Sequence, residues 1–175
     1  RGLYEKFCEG SMSYHNPEKK SDIWMGNYDL NEEQYMAMRT GYGYLLHTYN
    51  SPTISKCVYF IDTDSELGSP QGGNGKTLVM KSIEEFKETL PIEGKLFRQS
   101  MDSGGQFQFS GVQPDTTFIL IDDIRPEFRF EDLFSKITGN MTIEKKGKDI
   151  MTILEKDKPK FGITTNYVIG GGTGT

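Results

Sequence analysis

Residues Gly72-Gly73-Asn74-Gly75-Lys76-Thr77 place a permissive backbone immediately before an ammonium and a hydroxyl. Glycines at such a turn let successive backbone N–H groups point inward, and a helix starting at the Lys adds its positive end, so the stretch suits a phosphate. In that reading Gly72, Gly73, Asn74, Gly75, Lys76 and Thr77 line the phosphate, Lys76 reaches the β- and γ-phosphates of ATP, and the Thr77 hydroxyl ligates Mg²⁺. The first glycine of a G-x-x-x-x-G-K-[ST] loop is absent: Pro70 occupies its position, and Gly72 and Gly73 take over its task. Alone, the stretch reads equally as a glycine-rich surface turn that ends in Lys-Thr by accident.

Two further stretches change that balance. Ile119-Leu120-Ile121-Asp122-Asp123 is an apolar run ending in two acids, the means by which a carboxylate reaches the metal side of a phosphate site. In isolation such a pair more often closes a strand-end turn. Phe161-Gly162-Ile163-Thr164-Thr165-Asn166 ends in an amide able to place an attacking water beside a γ-phosphate, although a lone Asn there usually caps a turn. Lys-Thr, Asp-Asp and Asn, each at the end of an apolar run and in this order, point together to a nucleotide site. In such a site the Thr77 hydroxyl and the acid pair Asp122-Asp123 serve the Mg²⁺ side, and Lys76 and Asn166 the phosphate and the water.

The elements that must position these groups are legible in outline. Lys56 to Asp62 reads as a buried strand, and Thr77 to Leu90 as a helix with apolar positions at Leu78, Ile83, Phe86 and Leu90, closed by Pro91. Thr116 to Ile121 and Lys160 to Thr164 read as further strands, and Phe107 to Val112 as another. Asn31-Glu32-Glu33-Gln34 resembles a helix start, with Tyr35, Met38, Tyr42, Leu45 and Leu46 at helical spacing and Gly41 and Gly43 weakening its middle. Strands alternating with helices predict an α/β fold with a mostly parallel sheet, whose ligands bind beyond the carboxyl ends of the strands. Residues 1–30 form an N-terminal extension of scattered aromatics in which no chemistry is legible, and 31–175 the core.

A length of 175 residues fits one domain, with 35% hydrophobic and 26% charged residues as in an ordinary globular chain. No apolar run approaches the roughly 20 residues that span a bilayer, so no membrane partner is expected. A net charge of −5 argues against a uniformly basic nucleic-acid surface, so any basic strip must be local. Cys8 and Cys57 lack metal-site spacing, and a reducing cytoplasm is expected. His15, His47 and Trp24 read as packing or surface residues. Opening at Arg1 and ending in Gly170-Gly171-Gly172-Thr173-Gly174-Thr175, the chain reads as a piece of a longer protein.

From about residue 30 to the end, the order Gly-Gly-Asn-Gly-Lys-Thr, Ile-Asp-Asp, Ile-Thr-Thr-Asn resembles the ATPase core of superfamily 3 helicases, the AAA+ motors of viral and phage primase-helicases. Ser135 to Asp149, with its Thr-Gly turn followed by Ile and lysines, is similar to a motif that family carries between the acids and the Asn. The resemblance implies a three-layer P-loop NTPase fold with a small N-terminal helical region. It also implies a homo-hexamer in the full-length protein, working on single-stranded DNA (or RNA) in the cytoplasm of a bacterial or phage-infected cell. There the lysine motif forms a hairpin in the central channel, assigning Lys145, Lys146 and Lys148 to nucleic-acid phosphates. From Lys136 to Lys160 there are seven Lys against four acids, so this strip is locally basic, though a solvated hairpin tip has the same composition.

The resemblance implies Mg²⁺ on Thr77 and Asp122 and Asp123 as the base; the chain departs from the family in its long loop from Thr63 to Gln71 and in Asp123, where relatives in the wider fold carry Glu as the base that polarises water. The arginine that completes a neighbour's site in these motors lies beyond the Asn motif, past the end of this sequence. Two other readings share the Lys-Thr loop: a P-loop small-molecule kinase, which needs an acceptor pocket and an arginine-rich lid, and a non-hydrolysing, nucleotide-gated assembly module.

Overall fold

The computed structural model describes residues 32–51, 53–61, 75–97, 107–147 and 149–167. The expected N-terminal extension, the loop residues Thr63 to Asn74 with Gly72, Gly73 and Asn74, and Lys148 lie outside the described residues.

Helix α1 (Glu32–Leu46) precedes strand β1 (Cys57–Phe60); then follow α2 (Lys76–Lys81), β2 (Thr89–Glu93), β3 (Phe118–Ile124), α3 (Glu131–Thr138), β4 (Met141–Ile143), β5 (Met151–Ile153) and β6 (Lys160–Thr165). Strands β1, β6, β3 and β2 lie side by side in that order, and every pairing among them is parallel. The expectation of an α/β chain built on a mostly parallel sheet is met. Phe118 to Ile121 and Phe161 to Ile163 are fully buried, as strands covered on both faces require.

Alternation along β3 divides the core in two. Phe118 and Leu120 pack with Tyr42 and Leu45 of α1 and with Val79, Met80 and Ile83 of and just after α2. Ile119 and Ile121 face the other way, against Leu133 and Ile137 of α3, Met141 and Ile143 of β4, and Phe109 and Val112. Successive side chains of a strand point to opposite faces, so a single apolar run serves two layers. Strands β4 and β5 pair antiparallel as a hairpin, Met141 opposite Ile153 and Ile143 opposite Met151, so the segment Ser135 to Asp149 does lead into a hairpin.

Two expected elements are corrected. The helix predicted to run from Thr77 to Leu90 ends at Lys81, continues as a 3-10 turn over Ser82–Glu85, and gives way to β2, which contains Pro91. Leu78 and Phe86 are exposed, whereas Leu90 belongs to a strand paired with Ile119. The apparent helical spacing therefore mixed residues from two elements. Pro91 is admitted because β2 is an edge strand, where a missing N–H on the unpaired side costs no ladder bond. Phe107 to Val112 is not a strand: Ser110 N–H donates to the Phe107 carbonyl at 2.9 Å and Val112 N–H to the Phe109 carbonyl at 3.0 Å. These local bonds curl the segment so that Phe109 and Val112 both plug the same side of the core.

Candidate phosphate site at the strand ends

Gly75 has φ 77°, a left-handed conformation that suits glycine, and its carbonyl accepts the Val79 N–H at 2.9 Å to start α2. The next two residues, Lys76 and Thr77, are thereby set in the first turn, over the carboxyl ends of the parallel strands. Lys76 Nζ donates to Asn166 Oδ1 at 2.9 Å, and Thr77 Oγ1 donates to Asp122 Oδ1 at 2.7 Å. Residues separated by 90 and 45 positions in sequence meet in these contacts. The structure thus brings together Lys76, Thr77, Asp122 and Asn166.

The acids sit in an irregularity of β3 rather than beyond its end. The register against β6 shifts between Ile121 and Ile124, and Asp123 takes φ 58°, the left-handed region that a non-glycine residue seldom enters. Beta-bulges re-aim side chains in this manner and are over-represented beside active sites. Thr164 holds the arrangement: its Oγ1 donates to Asp122 Oδ1 at 2.5 Å and accepts the Asp123 N–H at 2.9 Å. One hydroxyl, 1% exposed, thereby fixes both acids.

Asp123 also meets a partner that the sequence reading missed. Lys95 Nζ lies 2.5 Å from Asp123 Oδ2, with both side chains partly exposed. The hydrogen bond and charge of Asp123 raise the pKa of the Lys95 ammonium above the ordinary lysine value. Thr164 and Lys95 carried little signal. A threonine within an apolar strand is ordinary strand composition, and nothing in a single lysine after a proline-containing strand reveals which strand lies beside it.

The chemistry of the donor set can be tested against Mg²⁺ and a triphosphate. Mg²⁺ takes oxygen ligands and is usually held by one or two protein groups, with waters and phosphates completing its shell. The Thr77 hydroxyl and Asp122 carboxylate offer two such oxygens 2.7 Å apart, so they fit that ion. An ammonium between the end of the glycine turn and an amide acceptor fits a phosphate oxygen equally well.

Of the hairpin lysines, Lys145 and Lys146 are on the loop between β4 and β5, and Lys145 Nζ is 3.4 Å from Gln113 Oε1, in the segment that precedes β3. Exposed Ile150 accompanies them. His47 is exposed and meets the Tyr44 ring edge-on, 5.4 Å between ring centres. Among the described residues no helix is long and apolar enough to cross a membrane.

Comparison with known proteins assigns nothing: no family model matches the chain, and no curated protein matches it significantly.

Proposed function

We propose that this chain is the ATP-hydrolysing motor domain of a replicative helicase of the primase-helicase type, translocating on single-stranded nucleic acid. The observation that carries the reading is the pairing of Lys76 with Asn166 and of Thr77 with Asp122 across the ends of three adjacent parallel strands. Strand β6 lies between β1 and β3, which puts Asn166 between the chain leading to the glycine turn and the acids. A phosphoryl-transfer site needs positioning and electrostatics more than covalent chemistry, and these side chains supply both.

In this reading Lys76 compensates the β- and γ-phosphate charge of ATP, exchanging its contact with the Asn166 carbonyl for phosphate oxygens. Thr77 and Asp122 hold Mg²⁺, which when bound supplies charge neutralisation at the phosphates. Asn166 orients the attacking water, and Asp123 accepts its proton. Lys145, Lys146 and Lys148 contact the nucleic-acid backbone, and a hexamer supplies the channel in which they do so.

The test is ATP turnover by the intact protein with and without single-stranded DNA, alongside Asp123→Asn and a triple Lys145, Lys146, Lys148→Ala variant. The expected outcome is DNA-stimulated hydrolysis, lost in Asp123→Asn with ATP binding retained. The triple variant should bind single-stranded DNA more weakly and with a shallower dependence on salt, because each lost phosphate contact removes a counterion-release contribution. ATP binding without phosphate release would favour the assembly module, and phosphate transfer to a small acceptor would favour the kinase.

A further inference from the structure

Strand β2 ends at Glu93 beside β3, and the chain turns at once into a short 3-10 segment, Gly94–Leu96. Gly94 is buried, and a Cβ built on it would lie 2.6 Å from the Asp122 carbonyl oxygen and 2.7 Å from the Ile124 nitrogen. The turn is therefore seated directly on the bulge, in contact with the backbone on both sides of Asp123. Lys95, the next residue, is the one whose ammonium meets Asp123 Oδ2. An ion pair between two long side chains on a protein surface often contributes nothing measurable. Here the two backbones are packed against one another, and so the pair has a fixed frame.

We propose that Lys95 is a positioning residue for Asp123, holding one carboxylate oxygen so that the other is presented to the attacking water. The inference rests on the ATPase reading above. A carboxylate turns about a broad, two-fold torsion, and nothing in the left-handed backbone of Asp123 by itself chooses where its oxygens point. An ammonium on Oδ2 makes that choice while leaving Oδ1 able to accept a proton. Because a misplacement of about 1 Å can cost about a hundredfold in rate, a contact of little consequence for stability can matter greatly for turnover.

Lys95→Met removes the charge and keeps the stem, and Lys95→Arg restores a cation. Both are compared with the wild-type intact protein for Mg-ATP affinity and for kcat at saturating ATP with single-stranded DNA present. The expected result is a kcat lower by about tenfold or more in Lys95→Met, an affinity within about threefold of wild type, and substantial recovery in Lys95→Arg. A kcat unchanged or raised in Lys95→Met overturns the proposal, the raised value meaning that the pair restrains Asp123. Weakened affinity with kcat preserved also overturns it, because Lys95 would then be a phosphate contact. A wild-type protein that binds and hydrolyses ATP separates these failures from a failure of the ATPase reading, whereas one that binds no Mg-ATP overturns both.

Discussion

The Thr164 hydroxyl spends its single proton on Asp122 and its lone pair on the Asp123 N–H, so one buried oxygen sets the spacing of both acids. Replacing it by the isosteric Val removes the donor to one acid and strands a backbone N–H of the other. The expected cost in stability is about 1–3 kcal/mol, the range for leaving a buried polar group unsatisfied, and it is checked by denaturant unfolding. Thr164→Ser, which keeps the hydroxyl, should lose much less. The acids, the Lys-Thr pair and the Asn were legible in the sequence because each closes a glycine turn or an apolar run. Thr164 and Lys95 were not, since their importance comes from a neighbour more than 25 residues away, Asp122 for the one and Asp123 for the other.

Among the elements, the strands were read more reliably than the helix between them. Buried parallel strands advertise themselves as continuous apolar runs, and β1, β3 and β6 all lie within or across the segments expected. The span after Thr77 deceived because Ile83 and Leu90 are both apolar but serve opposite sides of the sheet, one packing with α1 and α2 and the other beside Ile119. Phe107 to Val112 deceived because alternating aromatic and polar residues suit a tight turn over a core as well as a strand. The turn after β2 was invisible, yet it touches the acid bulge most closely. A methyl group at Gly94 would meet the Asp122 and Ile124 backbones at 2.6–2.7 Å, and backbone cannot yield as a flexible side chain does. Gly94→Ala is therefore expected to destabilise by about 1–3 kcal/mol, as overpacking does, and to lower kcat more than it weakens ATP affinity. Thermal unfolding together with steady-state kinetics checks both; an unaltered melting temperature would show that the turn is not seated on the bulge in solution.

At the scale of the whole molecule the two ends of the sheet are treated differently. The carboxyl end gathers the polar groups described above, while the amino end buries Lys160 at 3% exposure. Its ammonium donates to the Tyr49 carbonyl at 2.8 Å and lies 3.5 Å from the centre of the Tyr44 ring. Burial, with a smaller contribution from Lys87, depresses the Lys160 pKa to about 8. An unfolded lysine keeps its proton to higher pH, so above about pH 8 the unfolded chain binds a proton that the folded one has released, and stability rises with pH. Lys160 should accordingly add to the unfolding free energy between about pH 8 and 9.5, so the change over that window should be less positive in Lys160→Met, where the lowered pKa values of Lys87 and Lys158 still contribute with the same sign and the buried Cys57 thiol, its pKa raised, with the opposite one. An equal change in that variant would remove Lys160 from the account. The central claim concerns the other end of the sheet, and it is tested most directly by calorimetric titration of the intact protein and its Lys76→Ala variant with Mg-ATP. The account predicts saturable binding by the wild type and an affinity at least about tenfold weaker in the variant, roughly 1.4 kcal/mol. Absence of saturable binding, or equal affinities in the two proteins, would contradict it.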